Sequence, residues 1–473
     1  MNFERMSFGT VKESLATKAE FLGAWLLILG CFSAPVLGTA ATNIFLLSAL
    51  GVWLLRGQFK VLPALARQYP LILLCFGLFV WLGLSALWSS SFTGNILYLS
   101  KYREFFMIPA FMWVFSQKEY RTLALKALFL GMLLTLVISF LQYFHVATFH
   151  GRQHSAGNHI FHGILFAFFS YWCLDLARKY RAYAWLFVLL FLISSFALFE
   201  IQNGRTGYVL FSLLTALFLF QHFGWKVLIL SAITLTLFLF YAFEPAQILG
   251  RTHGWGAQLI NEDLTLQSLA TLDARFELWI NALKIIADNW LLGVGLGDYG
   301  AAHRPLWEAW HHAGFFINPH NEYLMIWSQS GLVGIALFIA FHGAFFNMAR
   351  RLSKDDAPVA MATLVTIIVS CSFNSSFLDM NDGALLLILS ALFLAPGVNL
   401  TPQREGFWFK VFKKGNLQKP EKQQSDKSGG RKSPARYDGV KFTEIESAVF
   451  EKMLETRGHT RRFEGVVKVI DER

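Results

Sequence analysis

Long apolar runs separated by short polar breaks fill most of the chain. A membrane-crossing helix needs about 20 mainly apolar residues. Twelve runs approach that length, near 20–37, 40–56, 70–88, 98–116, 123–145, 159–178, 183–201, 205–222, 225–243, 321–349, 357–378 and 380–397. The run at 98–116 is interrupted by charge at Lys101 and Arg103. The pattern predicts an all-α polytopic membrane protein with about 12 transmembrane helices over residues 1–397, followed by a tail over 398–473. One long loop, 244–320, carries helical periodicity of its own. Nine runs precede it and three follow, and no internal repeat relates the two parts. Small residues follow the first run, as after a signal peptide, but eleven further runs favour an uncleaved anchor.

Composition agrees. The 473 residues are 55% hydrophobic and only 15% charged, with a mean hydropathy of +0.45, whereas soluble chains are about a quarter charged. Lysine and arginine then give the orientation. Arg5, Lys12 and Lys18, then Arg56, Lys60 and Arg67, then Arg178, Lys179 and Arg181, and finally Arg350, Arg351 and Lys354 fall on one side. The loops of the other side are nearly free of basic residues, and the 77 residues of 244–320 carry four. Both termini are therefore expected in the cytoplasm of a bacterial inner-membrane protein, with 244–320 periplasmic. The tail is basic and polar, with a short amphipathic helix expected near 443–457, where Thr443 and Glu446 form a capping box. Attraction to membrane lipids explains its charge. No basic motif interleaved with aromatics points to nucleic acid.

Candidate chemistry gathers on the outer side. In "INPHNEYL", Asn318 can cap a helix and Pro319 suits its first position, so the helix is expected to begin at His320. A histidine in a first turn sits at the positive dipole end, which favours the neutral imidazole a general base requires. Arg205 in "QNGRTGY" follows a tight turn at the start of another helix. A cation there calls for an anionic partner. Arg275 lies in "LDARFELWINALKIIADNW", a loop helix with Asp273 as its expected cap and Phe276, Trp279, Leu283 and Ile286 as its apolar stripe. Lys101 and Arg103 enter an apolar run from the same side, at a cost that implies function. Four cations and one neutral base on one membrane face suit a lipid-borne polyanion such as a pyrophosphate, with Asn321 and Tyr323 as further substrate contacts.

Other signals carry less. "GVGLGDYG" follows a helix and lacks GxGxxG spacing, so it reads as a turn. His145, His150, His154, His159 and His162 fit no zinc spacing, and no metal site or cofactor is expected. Cys31, Cys75, Cys173 and Cys371 lie far apart within spans and read as packing residues.

"NGRTGY", "RFELW…LGVGLGDY" and "PHNEYL…SGLVG", in that order, resemble the O-antigen ligase and polymerase superfamily. The resemblance is clearest over 200–340 and does not reach the tail. It implies a metal-independent membrane glycosyltransferase that takes its glycan from an undecaprenyl-pyrophosphate donor. It places functional arginines at Arg205 and Arg275 and a functional histidine at His320. The family often has a glutamate before the glycine of "SG", where this chain has Gln329 and Ser330. Ligation to lipid A–core is the first expectation. Glycan polymerisation and transfer to a protein hydroxyl come next. A polysaccharide or lipid transporter is the reading outside the class; such proteins place ionisable groups near the midplane of repeated halves.

Overall fold

The computed structural model describes residues 8–90, 92–146, 159–202, 204–227, 229, 274–309 and 315–398. The run at 225–243 beyond residue 229, Asp273, and the helix expected at 443–457 lie outside the described residues. The helices are α1 (Phe8–Val36), α2 (Thr39–Leu55), α3 (Leu62–Gln68), α4 (Pro70–Ser85), α5 (Phe92–Asn95), α6 (Glu104–Phe115), α7 (Lys118–Tyr143) and α8 (His159–Lys179). They continue with α9 (Ala184–Phe196), α10 (Arg205–Phe223), α11 (Ala274–Asp288), α12 (Tyr299–Ala309), α13 (Glu322–Ala349), α14 (Ala357–Phe373) and α15 (Met380–Leu394). No strand occurs among the described residues, so the all-α polytopic architecture stands.

Span number is where pattern and structure part. Eight helices among the described residues are long and apolar enough to cross a membrane, or nine if α2 and the segment 58–68, bent by 75°, count as one. The run at 98–116 is not one helix: a 3-10 stretch, Ile96–Tyr102, precedes the 12-residue α6. Burial explains how so short a helix persists. Phe105, Met107, Ile108, Ala110, Phe111 and Met112 are all at most 1% exposed, so α6 is packed against protein over most of its surface. Likewise α15 is buried continuously from Asp382 to Leu394. By contrast α9 turns Trp185, Leu189 and Leu192 outward, 45% or more exposed, the face expected of a lipid contact.

Two close approaches fix the bundle. At the crossing of α8 and α10, a Cβ on Gly207 would lie 2.8 Å from the Gly163 Cα, so only glycine admits this spacing. The second is a break in α13 at Gly331, whose φ of 66° and ψ of −162° interrupt the helix. The loop after α11 fills the break. Val294 N donates to Ser328 O at 2.8 Å, Gly295 N to Gln329 O at 2.9 Å, and Leu332 N to Leu291 O at 3.1 Å. Trp81 Nε1 donates to Ser330 O at 2.9 Å. The "GVGLGDYG" motif is thus more than a turn: its backbone serves the carbonyls that the broken helix frees. Gly293, Gly295 and Gly297 all have positive φ. Added Cβ atoms there would meet Gln329, Ser89 and Asn95 within 3 Å.

A Cβ on Gly331 would stand 2.1 Å from Leu291 O, whereas Gly343 on the same helix has nothing within 4 Å. Gly331→Ala is expected to destabilise the purified protein by about 2 kcal/mol or more, and Gly343→Ala to leave stability within about 1 kcal/mol. Thermal unfolding in detergent reads both; equal midpoints would refute the assigned role of the break.

Candidate functional site

The site grows from the junction between the start of α13 and the α14–α15 connection. Helix α13 begins later than the sequence suggests. Asn321, not Asn318, is the cap: its φ is −156°, and its side chain accepts from Leu324 N at 3.1 Å. His320 therefore precedes the helix instead of lying in its first turn. It holds a left-handed φ of 51°, and its N–H donates to Asn318 Oδ1 at 2.9 Å. Asn318 makes a side-chain turn rather than a cap. A non-glycine residue with this φ is strained, and such strain concentrates at functional sites.

The imidazole is held by a chain of side chains. Its Nδ1 is 3.2 Å from Asn374 Oδ1. Asn374 Nδ2 donates to Asp382 Oδ2 at 2.8 Å, and Ser376 Oγ donates to the same oxygen at 3.2 Å. A carboxylate oxygen accepts, so it fixes the amide orientation and leaves Asn374 Oδ1 toward the ring. An amide oxygen only accepts, so Nδ1 must carry the hydrogen. The lone pair then lies on Nε2, the arrangement a general base uses. The Phe316 ring packs edge-on against the imidazole, 5.4 Å between centroids.

Two neighbours brace this junction. Asn321 Nδ2 donates to Ser372 O at 2.9 Å. Glu322, fully buried, accepts from Phe377 N at 2.8 Å and Leu378 N at 3.3 Å. Tyr323 points into the bundle, stacked on His342 with its hydroxyl 3.4 Å from His342 Nε2. Asn321 and Tyr323 thus make bracing contacts within the bundle. Gln329 is also structural: its Oε1 accepts from Gly297 N at 2.6 Å and its Nε2 donates to Met325 O at 3.3 Å. A carboxylate there would accept the first bond but lose the second.

The cations converge on the same end of the bundle. Helix α11 packs on α13, and the Trp279 ring contacts Phe373, 6.4 Å between centroids, next to Asn374. Arg275 is half-buried, one turn before Trp279 and so on the same helical face. The buried face of α11 matches the expected stripe only in part: Ile286 is 4% exposed, and Phe276 and Trp279 are half-buried. Leu278, Ala282 and Ile285 are at most 4% exposed and Leu283 is 52% exposed, because Glu277 and Asn281 also turn inward. Helix α10 packs on α14, and Gln221 Nε2 bonds Pro358 O at 3.4 Å at their other ends. The pair is therefore antiparallel, and exposed Arg205 lies at the end that carries Asn374. A π-helical segment, Ala197–Gln202, shapes the approach to it. Arg103 bonds Asn43 Oδ1 at 2.7 Å and lies 3.9 Å from buried Glu104. Gly383 packs against that glutamate. Lys101 sits 4.8 Å over the Tyr98 ring.

A second histidine supports the loop. His303, buried in α12, donates from Nδ1 to Phe316 O at 3.0 Å and stacks between Tyr299 and Phe315. Burial lowers its pKa, against the opposing pull of the Phe316 carbonyl and Glu277, so the ring is held neutral. Among the described residues no group of three or more His, Cys, Asp and Glu side chains is placed to hold a metal ion.

Residues 189–339 match the family model described as O-Antigen ligase. The match bears out the resemblance carried by the arginine, glycine-loop and histidine motifs, all of which fall inside it. Over that segment the chain is similar to O-antigen ligases, which supports a ligase- or polymerase-type function in general. No curated protein matches the chain. Asn374, Asp382, Lys101 and Arg103 lie outside the matched segment. Asn374 and Asp382 were missed from sequence, although "NSSFLDMND" is a polar run between two apolar ones on the His320 side.

Asn374→Leu removes the acceptor that fixes the imidazole. Glycan transfer is expected to fall roughly tenfold to a hundredfold, the scale of a small misplacement, with Asn374→Asp retaining more activity. Unchanged turnover in Asn374→Leu would remove it as a positioning residue.

Proposed function

We propose that this protein transfers a glycan from an undecaprenyl-pyrophosphate donor to lipid A–core at the periplasmic face of the inner membrane. The observation that carries this reading is the His320–Asn374–Asp382 chain, which aims an imidazole lone pair from the bundle end where Arg205 and Arg275 lie. The acceptor hydroxyl oxygen attacks the anomeric carbon of the donor sugar. His320 Nε2 takes the hydroxyl proton as the new C–O bond forms. The bond to pyrophosphate breaks, and the departing oxygen carries the bonding pair. Arg205 and Arg275 stabilise that negative charge, strongest in the transition state. Lys101 and Arg103 extend the positive field toward the membrane surface. The cations neutralise the leaving group, so no divalent metal or other cofactor takes part.

Transfer measured in membranes tests each role. His320→Ala and His320→Gln are both expected to lose about 10²–10⁴-fold in turnover, while donor binding persists. In the glutamine variant the acid limb of the pH–rate profile should also flatten, since an amide takes no proton. A glutamine variant with the wild-type profile would place the base elsewhere. Arg205→Ala and Arg275→Ala should nearly abolish transfer, with lysine only partly restoring it because the bidentate fork is lost.

A chelator should leave the rate unchanged. Activity lost to chelation and restored by a divalent ion would overturn the metal-free mechanism.

A further inference from the structure

At the opposite end of the bundle lies a cavity of about 770 Å³ that the transfer reaction does not use. Helix α15 separates the two places: Asp382 belongs to the candidate site, and Phe393 lines the cavity. Eleven residues of helix hold them about 16 Å apart along the axis. Arg121, Lys126, Arg178 and Lys179 surround the cavity, with Asp355 and Asp356 at its edge. Phe129, Trp172, Leu176 and Phe187 contribute apolar walls to it.

The positive charge there is only partly neutralised from within. Lys179 and Arg178 share buried Asp175, and Arg178 also lies 3.5 Å from Asp355. Arg121 and Lys126 join no ion pair among the described residues. The buried Nε–H of Arg178 has no hydrogen-bond partner, a donor awaiting an acceptor. The cavity also opens toward lipid. Leu123 and Leu130, 39% and 55% exposed, flank Lys126 one turn away on either side. An anion reaching these cations arrives beside acyl chains, and the aromatic walls suit a hydrocarbon tail.

We infer that this cavity binds an anionic phospholipid, its phosphate among Arg121, Lys126 and Arg178 and an acyl chain against Phe129 and Trp172. The lysine and arginine bias places this end at the cytoplasmic leaflet, where anionic lipids supply that headgroup. The inference stands apart from the glycan-transfer reading.

The test uses the full chain, delipidated in a neutral detergent and titrated with phosphatidylglycerol or phosphatidylcholine, with bound lipid counted by native mass spectrometry. Phosphatidylglycerol should bind more tightly than phosphatidylcholine. Lys126→Gln should weaken it roughly fivefold and Arg121→Gln/Lys126→Gln roughly 25-fold, the scale set by one near-surface cation each. Arg181→Gln, exposed at the same end but outside the cavity, should change little. Equal affinity for the two lipids, or undiminished binding in the double variant, would overturn the inference. An Arg181→Gln effect as large as that of Lys126→Gln would reduce it to diffuse surface attraction. Displacement by millimolar inorganic phosphate would show that the cavity recognises a free anion and not a lipid. Lys126 is exposed, so its single variant decides the matter if the double variant fails to insert.

Discussion

Backbone carbonyls freed inside a membrane must find donors within the protein, because lipid offers none. The break in α13 creates that demand at residues 328–330, and the glycine loop that follows α11 meets it together with Trp81 of α4. Everything distinctive about the site follows from this exchange. The loop is anchored to the middle of α13, so α11, which carries Arg275, has a fixed place beside the helix that begins just after His320. Asp298 extends the same anchor, accepting from Ser90 Oγ at 2.7 Å and Asn95 Nδ2 at 2.6 Å. That ties the approach to Lys101 and Arg103 to the loop as well. A helix packed on the bundle only by apolar contact would hold its arginine far less exactly than one whose trailing loop is stitched into another helix.

A second layer of polar order lies beneath the cations. Glu104, Glu322 and Asp382 are each at most 3% exposed, and all three sit at starts of helices around one bundle end. Free backbone N–H groups at a helix start favour nearby negative charge. One oxygen each of Glu322 and Asp382 also accepts from named donors of the α14–α15 connection. The result is a preorganised floor: acids below, a braced imidazole above them, and arginines arriving from α10 and α11. Preorganisation of this kind lets charged groups act without rearranging as the leaving group departs.

Much of this was legible in sequence because it was written in periodicity and punctuation. Apolar runs gave the class of fold, and Arg205, Arg275 and His320 announced themselves as polar residues beside turns. What failed to show depended on tertiary burial. The run at 98–116 was read as one span, but α6 needs only 12 residues because most of its surface is packed against protein. The inward face of α11 was read only in part because buried Glu277 and Asn281 broke the apolar stripe. Asn318-Pro319 is a convincing helix start, yet the left-handed φ of His320 moves the cap to Asn321. No local rule foretells that angle, which the surrounding contacts maintain. Asn374 escaped notice because its importance lies in a partner 54 residues away.

The deep burial of α15 has a consequence for biogenesis. Synthesis delivers this helix after the fourteen others among the described residues, yet it packs against α1, α2, α6, α7 and α14. Until Met380–Leu394 emerges, those helices surround an unfilled centre, and Asn374 lacks the carboxylate that orients it. The imidazole is consequently not held in its working orientation on any nascent chain that stops short of α15. Arrival of α15 and assembly of the site are one event, so a copy terminated before Met380 would occupy the membrane without a braced His320.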